Sequence, residues 1–396
     1  MHSLEDRKGQ ALPVMPRRVH AYIIQLYLAA DVCAAMALLA TKLYVPKVRP
    51  NLVTRPHLTE RLNQGPGHRL TLISAPAGFG KTTLLAEWAS ALRANGLTVA
   101  WVSLDGSDND PARFWTYFIA ALSKVHHGAG ESALSMLQST QSLPVESVLN
   151  TLVNEASVIP HDFALILDDY HLIETQAIHS GLTYLLEHLP PQMHLVIATR
   201  TDPPLPLARL RGKGQLVEFR AADLRFTPDE ASLFLNNVMA LGLSPRHVEA
   251  LEERTEGWIA GLQLAALSIH DREDIPGFVA AFTGENRYIL DYLAQEVLQR
   301  QPEEVQTFLL QSSILDRLCG SLCDAVTGRS DGQLMLERMD QANLFLIPLD
   351  DKRQWYRYHH LFADFLRKQF HGQQGVLAPE LHCRASAWYE GHGFTA

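Results

Sequence analysis

The sequence predicts an α/β protein in which a parallel sheet of short buried strands gives way to a long helical stretch and then a hairpin. Three observations carry that expectation. Short apolar runs rich in Val, Ile and Leu recur at 69–74, 98–104, 163–167, 194–199 and 216–219, as strands buried on both faces of a sheet require. Stretches between them, such as 83–92 and 113–122, space their apolar residues as crossover helices do. After Phe226 the strand-like runs stop and helical spacing continues for more than a hundred residues.

Taken in order, the first segment is ambiguous. Arg17 and Arg18 precede a mostly apolar stretch, Ala21 to Ala40, that imitates a signal peptide, but Gln25 and Asp31 interrupt it. A spanning helix is not expected, since ~18 uninterrupted apolar residues are missing. Residues 1–37 are read either as an apolar helix or as an upstream extension outside the fold, because an internal methionine, Met36, stands just ahead of Leu38. Residues 38–225 are expected to form the sheet domain and 226–285 a helical domain. Thr227-Pro228-Asp229-Glu230 opens the latter: Thr as N-cap, Pro at the first helical position and Glu completing a capping box. Another helix is expected from Pro302, with Glu303 and Glu304 complementing its positive end. Residues 345–349 and 355–358 flank the polar turn 350–353 as a hairpin, and Leu361, Phe362, Phe365 and Leu366 resume helical spacing. Helices followed by a hairpin suggest a winged helix, set at 286–372, with a last helical segment, 381–389, inside 373–396.

Composition bounds the function. With 396 residues, 47% apolar and 19% charged, the chain is globular and long enough for several cores. A net charge of −9 repels a nucleic-acid backbone or an anionic membrane, so any DNA contact would have to be local and no membrane partner is expected. Four cysteines, Cys33, Cys319, Cys323 and Cys383, are too few for a disulfide framework and lack zinc-site spacing. They are read as buried thiols of a reducing, cytoplasmic compartment.

The strongest chemical signal is Ser74-Ala75-Pro76-Ala77-Gly78-Phe79-Gly80-Lys81-Thr82-Thr83, which follows a strand and opens a helix. It matches the phosphate-binding P-loop except that Ala75 replaces the first Gly, a change that requires a negative φ there. Ala77, Gly78, Phe79, Gly80 and Thr83 supply backbone N–H groups that can point at phosphate oxygens, Lys81 neutralises β/γ charge, and Thr82 can ligate magnesium. Asp168 and Asp169 end the run 163–167 in a Walker B pattern: Asp168 would hold magnesium and Asp169 would orient or deprotonate the attacking water. Arg200 ends the next run at the ligand edge of the sheet and is a candidate γ-phosphate sensor, because a guanidinium binds a phosphate bidentately. Arg209, Arg211, Lys213, Arg220 and Arg225 nearby read as a solvated basic rim. His359 and His360 open the helix after the hairpin and could donate to phosphate or simply cap and pack; Trp101, Trp115, Trp258 and Trp355 read as core.

With these residues in view, the chain resembles the STAND class of signal-transduction ATPases, in the MalT-like branch of LuxR-type bacterial transcription regulators. The resemblance covers 52–56, the P-loop, 103–105, 108–115, the double Asp, Thr199 to Pro204, Thr255 to Ala265, Ser313 to Asp316 and Tyr358 to Phe362. It implies a P-loop NTPase sheet with one strand added between the Walker A and Walker B strands, then helical and winged-helix domains, the last sensing nucleotide rather than DNA. By position Arg55 matches an arginine that closes over the nucleotide, Arg200 the sensor, and His359 a winged-helix histidine that contacts phosphate in a closed ADP form. Gln263 stands where related proteins carry Pro near the adenine. Residues 373–396 resemble only the start of the family's helical-repeat sensor arm, and the rest of that arm and the helix-turn-helix domain are missing, so truncation and no direct DNA contact are expected.

The function this implies is an ATP/ADP switch with Mg2+, closed as a monomer with ADP and opening to self-associate with ATP, with slow ATP hydrolysis through Lys81 and Asp169 as the reset. A working ATPase that remodels protein or DNA, and an inert fragment of a longer regulator, are the alternatives.

Overall fold

A computed structural model describes residues 38–48, 51–65, 67–94, 96–139, 144–269 and 274–393. The readings of residues 1–37 and of Cys33 lie outside them. The residues fall into two compact units, one built from those up to Val45 with Leu92–Asp168 and Leu172–Leu195, the other from Pro46–Ala91, Asp169–His171 and Val196–Ala396.

The strands are β1 (Leu70–Ser74), β2 (Thr98–Ser103), β3 (Phe163–Asp168), β4 (Met193–Thr199) and β5 (Leu216–Arg220), in one parallel sheet of order β2-β3-β4-β1-β5. β4 therefore lies between the strand leading to the P-loop and the strand ending in the double Asp, as the resemblance implies. Every residue of β1, β3 and β4 is buried, whereas the edge strand β5 buries only Phe219, which is why the central runs are almost continuously apolar. The register pairs Leu70 with Leu216 and Thr98 with Phe163.

In the first unit, helices α3 (Pro111–Ser123), α4 (Glu131–Leu137), α5 (Val145–Ser157) and α6 (Gln176–Glu187) accompany β2 and β3. α3 starts as its sequence directs: Asp110 Oδ1 accepts from the Arg113 N–H at 2.8 Å and Pro111 takes the first helical position. Its apolar face buries Phe114, Trp115, Tyr117 and Phe118. Lys42 is buried against Asp105, at 3.0 Å, and Asp108, whose carboxylate also takes Arg113 at 3.2 Å. An enclosed acid is tolerated there because it meets two cations.

The second unit holds α1 (Pro56–Leu62), β1, α2 (Lys81–Ala94) as far as Ala91, α7 (Leu207–Gly212) and β5, and then runs almost wholly helical: α8 (Pro228–Leu233), α9 (Pro245–Thr255), α10 (Ile259–Ile269), α11 (Ile275–Ala281), α12 (Arg287–Glu296), α13 (Glu303–Ser312), α14 (Gly320–Thr327) and α15 (Gly332–Gln341). The capping box at Thr227 forms: Thr227 Oγ1 accepts from the Glu230 N–H at 3.2 Å, and Glu230 Oε2 from the Thr227 N–H at 3.0 Å. β6 (Leu346–Pro348) and β7 (Tyr356–Tyr358) make the antiparallel hairpin, followed by α16 (His360–Gln374) and α17 (Ala378–Gly391). Phe345, Tyr356, Tyr358, Phe362 and Phe365 are buried together behind it.

Two readings need correction. Cys383 is exposed on α17 rather than buried, while Cys319 and Cys323 are buried as expected. Trp355 is half-buried at the hairpin, whereas Trp101, Trp115 and Trp258 are enclosed. Of the basic rim, Arg211 pairs with Glu218 at 2.7 Å, and Arg220 pairs with Asp202 and Glu218. Among the described residues no helix is long and apolar enough to cross a membrane.

Candidate functional site

The turn from β1 into α2 is built as its sequence requires. Gly78 and Gly80 take φ of +78° and +74°, while Ala75 is not in the left-handed region, which is why a side chain is accepted there. Lys81 is buried and its Nζ donates to Ala75 O at 2.7 Å and Pro76 O at 2.9 Å, folding the ammonium back over the loop. Among the described residues the backbone N–H groups of Gly78, Phe79, Gly80 and Thr83 donate no hydrogen bond. Orphan donors gathered at a helix start beside an ammonium form an anion site, so the residues fit a nucleotide phosphate. Thr82 and Thr83 also border a cavity of about 70 Å³ with Pro46, Lys47, Val48 and Ala86.

The outer side of the loop is covered. The Ala77 carbonyl accepts from Trp258 Nε1 and the Gly78 carbonyl from the Ala260 N–H, both at 3.0 Å. A Cβ on Gly78 would come within 2.5 Å of Ala260 Cβ and 2.9 Å of Tyr292 Oη, so this position needs glycine for space as well as φ. The segment that covers the loop, Thr255 to Ala260, is gripped by the winged helix at its other end. His359 Nε2 donates to Thr255 O at 2.8 Å. Arg357 makes a two-pronged contact to Glu256 at 2.8 and 2.9 Å, and the His360 N–H donates to the same carboxylate at 3.1 Å. Phe79, Phe345, Trp258 and His359 close the gap as an aromatic cluster, with centroids 5.2 to 6.1 Å apart.

Electrostatics follow from this enclosure. Burial pushes the Glu256 carboxyl up, but Arg357, protonated His359 and the His360 N–H outweigh it and hold the group at about 2. Burial drives His359 down to about 4 despite Glu256 and the Thr255 carbonyl, so its ring is neutral near pH 7. Its Nδ1 is buried without a hydrogen-bond partner.

The sequence-selected residues are distributed as follows. Asp168 ends β3 and is buried, its carbonyl accepting from the Leu104 N–H at 3.0 Å. Asp169 adopts a φ of +58°, a left-handed conformation unusual for a side-chain-bearing residue. Arg200 is held by α12: Nη1 donates to Glu296 O and Nη2 to Glu296 Oε2, each at 3.0 Å, and Arg300 takes Oε1 at 2.9 Å. Arg55 is buried and its guanidinium is satisfied by Glu230 Oε1 and Leu224 O at 2.9 Å and Arg225 O at 2.6 Å. It clasps the start of the helical stretch rather than the loop. Asn343, at φ +49°, donates to Ser74 Oγ at 3.0 Å and Arg200 O at 2.9 Å, tying the ends of β1 and β4 to the segment before the hairpin. Among the described residues no group of three or more His, Cys, Asp or Glu side chains could hold a metal ion.

Sequence reasoning missed Glu256, Glu296 and Asn343. Glu256 and Glu296 lie in helical segments where an acid reads as a solvated face.

A phosphate-loop turn on a parallel sheet with the Walker A and B strands one apart defines the P-loop NTPase-type fold. Comparison with known proteins narrows this class. Residues 294–377 match the MalT winged helix domain. The chain is 35% identical over 356 residues to the serine/threonine-protein kinase PknK of Mycobacterium tuberculosis, covering 90% of this chain and 32% of that protein. It is 34% identical over 359 residues to the HTH-type transcriptional regulator MalT of Cronobacter sakazakii, covering 90% of this chain and 39% of that one. Among solved structures, a STAND protein with a tetratricopeptide repeat sensor from Pyrococcus horikoshii aligns with 87% of this chain and 46% of its own, at 16% identity and a TM-score of 0.43. Over 90% of its length the chain is similar to these MalT-type and PknK proteins, and it spans between about a third and two fifths of the two curated relatives.

Proposed function

We propose that the chain is an ATP/ADP-binding regulatory switch, closed when ADP is held and opened for self-association when ATP replaces it. The observation that supports this reading best is the strap Thr255 to Ala260, bonded to the phosphate loop at Ala77 and Gly78 and to the winged helix at His359, His360 and Arg357. A change at the loop thus has a bonded route to the winged helix.

In this reading the loop N–H groups and Lys81 hold the phosphates, and the nucleoside lies toward Thr83. Thr82 and Asp168 would hold Mg2+, which when bound supplies neutralising charge to the phosphates. Asp169 orients the attacking water for a slow resetting hydrolysis. Arg200 exchanges the Glu296 carboxylate for the terminal phosphate, since a guanidinium pairs with either. The two states therefore differ in what Arg200 binds, which gives the differential affinity a switch needs. His359, whose Nδ1 is unpartnered, is assigned to the diphosphate state, and Arg55 acts by clasping 224–230. We also propose the domain division 38–225, 226–285, 286–372 and 373–396, a cytoplasmic setting, and a role in transcription regulation exerted without DNA contact by this chain.

The test is nucleotide content. Protein purified at neutral pH, denatured and assayed for released nucleotide is expected to yield ADP, and Lys81→Ala to yield none. Turnover is expected well below about one per second, the range of ordinary enzymes. Unchanged nucleotide binding in Lys81→Ala would refute the assignment, and turnover of about one per second or faster would favour a remodelling ATPase.

A further inference from the structure

The left-handed backbone at Asp169, φ +58°, persists only where the chain on either side leaves it no alternative. Both sides are held by the loop that follows β2. Ahead of Asp169, the Asp168 carbonyl accepts from the Leu104 N–H at 3.0 Å. Beyond it, Asn109 Nδ2 donates to Leu172 O at 2.7 Å, and Asn109 Oδ1 accepts from the N–H groups of Glu174 at 2.6 Å and Thr175 at 3.1 Å. Thr175 Oγ1 adds a bond to Asn109 O at 2.7 Å. Thr175 is the N-cap of α6, where a threonine oxygen ordinarily accepts from the first N–H groups of the helix, yet it makes no such bond. Its hydroxyl serves Asn109 instead. The supporting loop is itself fixed: Asn109 Nδ2 also donates to Gly106 O at 3.1 Å, Asp105 Oδ1 accepts from the Ser107 N–H at 2.9 Å, and buried Asp108 accepts from the Asp105 N–H at 2.8 Å and pairs with Lys42. Only Asp169, Tyr170 and His171 lie between the two anchored points, and so short a span has few conformations open to it.

We propose that Asn109 is a positioning residue for Asp169: it fixes the turn after β3, holds the Asp169 carboxylate in one direction, and so sets the rate of hydrolysis rather than the affinity for nucleotide. The proposal rests on the nucleotide-site reading and deepens its resetting step. In that step a water oxygen bonds to the terminal phosphorus, the bond to the β,γ-bridging oxygen breaks with its electron pair leaving on ADP, and the water proton passes to the released phosphate or to Asp169. Asn109 acts on this only by aiming Asp169.

Two measurements on the full chain with Mg2+ test it: the single-turnover rate of ATP hydrolysis, and calorimetric affinity for ADP and the triphosphate analogue adenosine β,γ-imidotriphosphate. The variants are Asn109→Ala, Asn109→Asp, Asp169→Asn and the double variant Asn109→Ala with Asp169→Asn. Asp169→Asn removes the carboxylate and keeps a side chain that tolerates the left-handed conformation. Asn109→Ala is expected to slow hydrolysis about tenfold or more, the effect of misaiming a reacting group, with both affinities changed less than about threefold. In the Asp169→Asn background it is expected to slow hydrolysis no further, because residues that act through one another are not additive. Asn109→Asp keeps the acceptor oxygen and loses the two Nδ2 bonds, so it is expected to lose less rate at unchanged affinity, and it decides alone if Asn109→Ala does not fold. Parallel losses of rate and affinity, an unchanged rate, or a further loss in the double variant would make Asn109 a structural joint and overturn the proposal. A wild-type chain that binds neither nucleotide overturns the nucleotide-site reading and this proposal with it. One that binds both without hydrolysing ATP overturns the resetting step and this proposal while leaving the binding site intact.

Discussion

Glu256 is the residue whose replacement tests the coupling most directly. Its carboxylate is 7% exposed and collects the Arg357 fork, the His360 N–H and Arg225 Nη1 at 3.5 Å. A carboxyl held at about 2 instead of 4.5 corresponds to about 3.5 kcal/mol of preference for its charged form. The part owed to His359 exists only while that ring is charged, below about pH 4, so the figure is an upper bound at neutral pH. Because the folded value is depressed, this stability is present above the unfolded value near 4.5 and is lost as the pH falls from there toward 2. Glu256→Gln keeps the shape and one acceptor while removing the charge. At pH 7 it is expected to cost about 2 to 3 kcal/mol, or roughly 5 to 10 °C in the melting temperature of a unit this large. Thermal unfolding followed by circular dichroism at pH 7, 4 and 3 provides the assay, and the gap between variant and wild type should narrow with acid. A variant that melts within about 1 °C of wild type at pH 7, or a gap that stays constant to pH 3, would show that the contact holds nothing together.

Other outcomes follow from the same geometry. Glu296→Gln should weaken the pairing that holds Arg200 and raise affinity for the triphosphate analogue several-fold, read by calorimetry; the half-exposed pair itself is worth at most about 1 kcal/mol. His359 is held at about 4, below an unfolded value of 6.5, so the folded state loses stability as the pH falls through that window; His359→Gln should flatten the pH dependence of the melting temperature between 6.5 and 4. Gly78→Ala should abolish nucleotide retention, because its Cβ has no room beside Ala260 and the loop φ disfavours it. Under brief alkylation Cys383 should react well before Cys323, whose thiol burial pushes far up, with the order read by peptide mass spectrometry.

The sheet, the P-loop, the capping box at Thr227 and the hairpin were legible because each is a local pattern whose physics closes within a few residues. The carboxyl-terminal Asp168 and Asp169 were legible because strand ends are marked by composition. What Arg200, Arg55 and His359 touch was not legible, since their partners lie 96, 175 and 104 positions away. No periodicity announces a contact at that distance. Family resemblance supplied the names of these residues, and the structure adds the partners it could not name: Glu230 for Arg55 and Glu296 for Arg200. Glu256 was hidden for another reason. It ends α9 in a left-handed conformation, φ +48°, so its side chain leaves the direction that helical spacing would assign.

The strap has a consequence for sequence drift. Its acceptors at Thr255, Ala77 and Gly78, and its donor at Ala260, are main-chain atoms, so outside Gly78 the bonds do not depend on which side chain the position carries. Only Trp258 and His359 contribute identity to those bonds. Substitutions that preserve the backbone path at Thr255, Ile259 and Ala260 can therefore accumulate without disconnecting the loop from the winged helix, and divergent chains of this kind can alter what they respond to while keeping the same linkage.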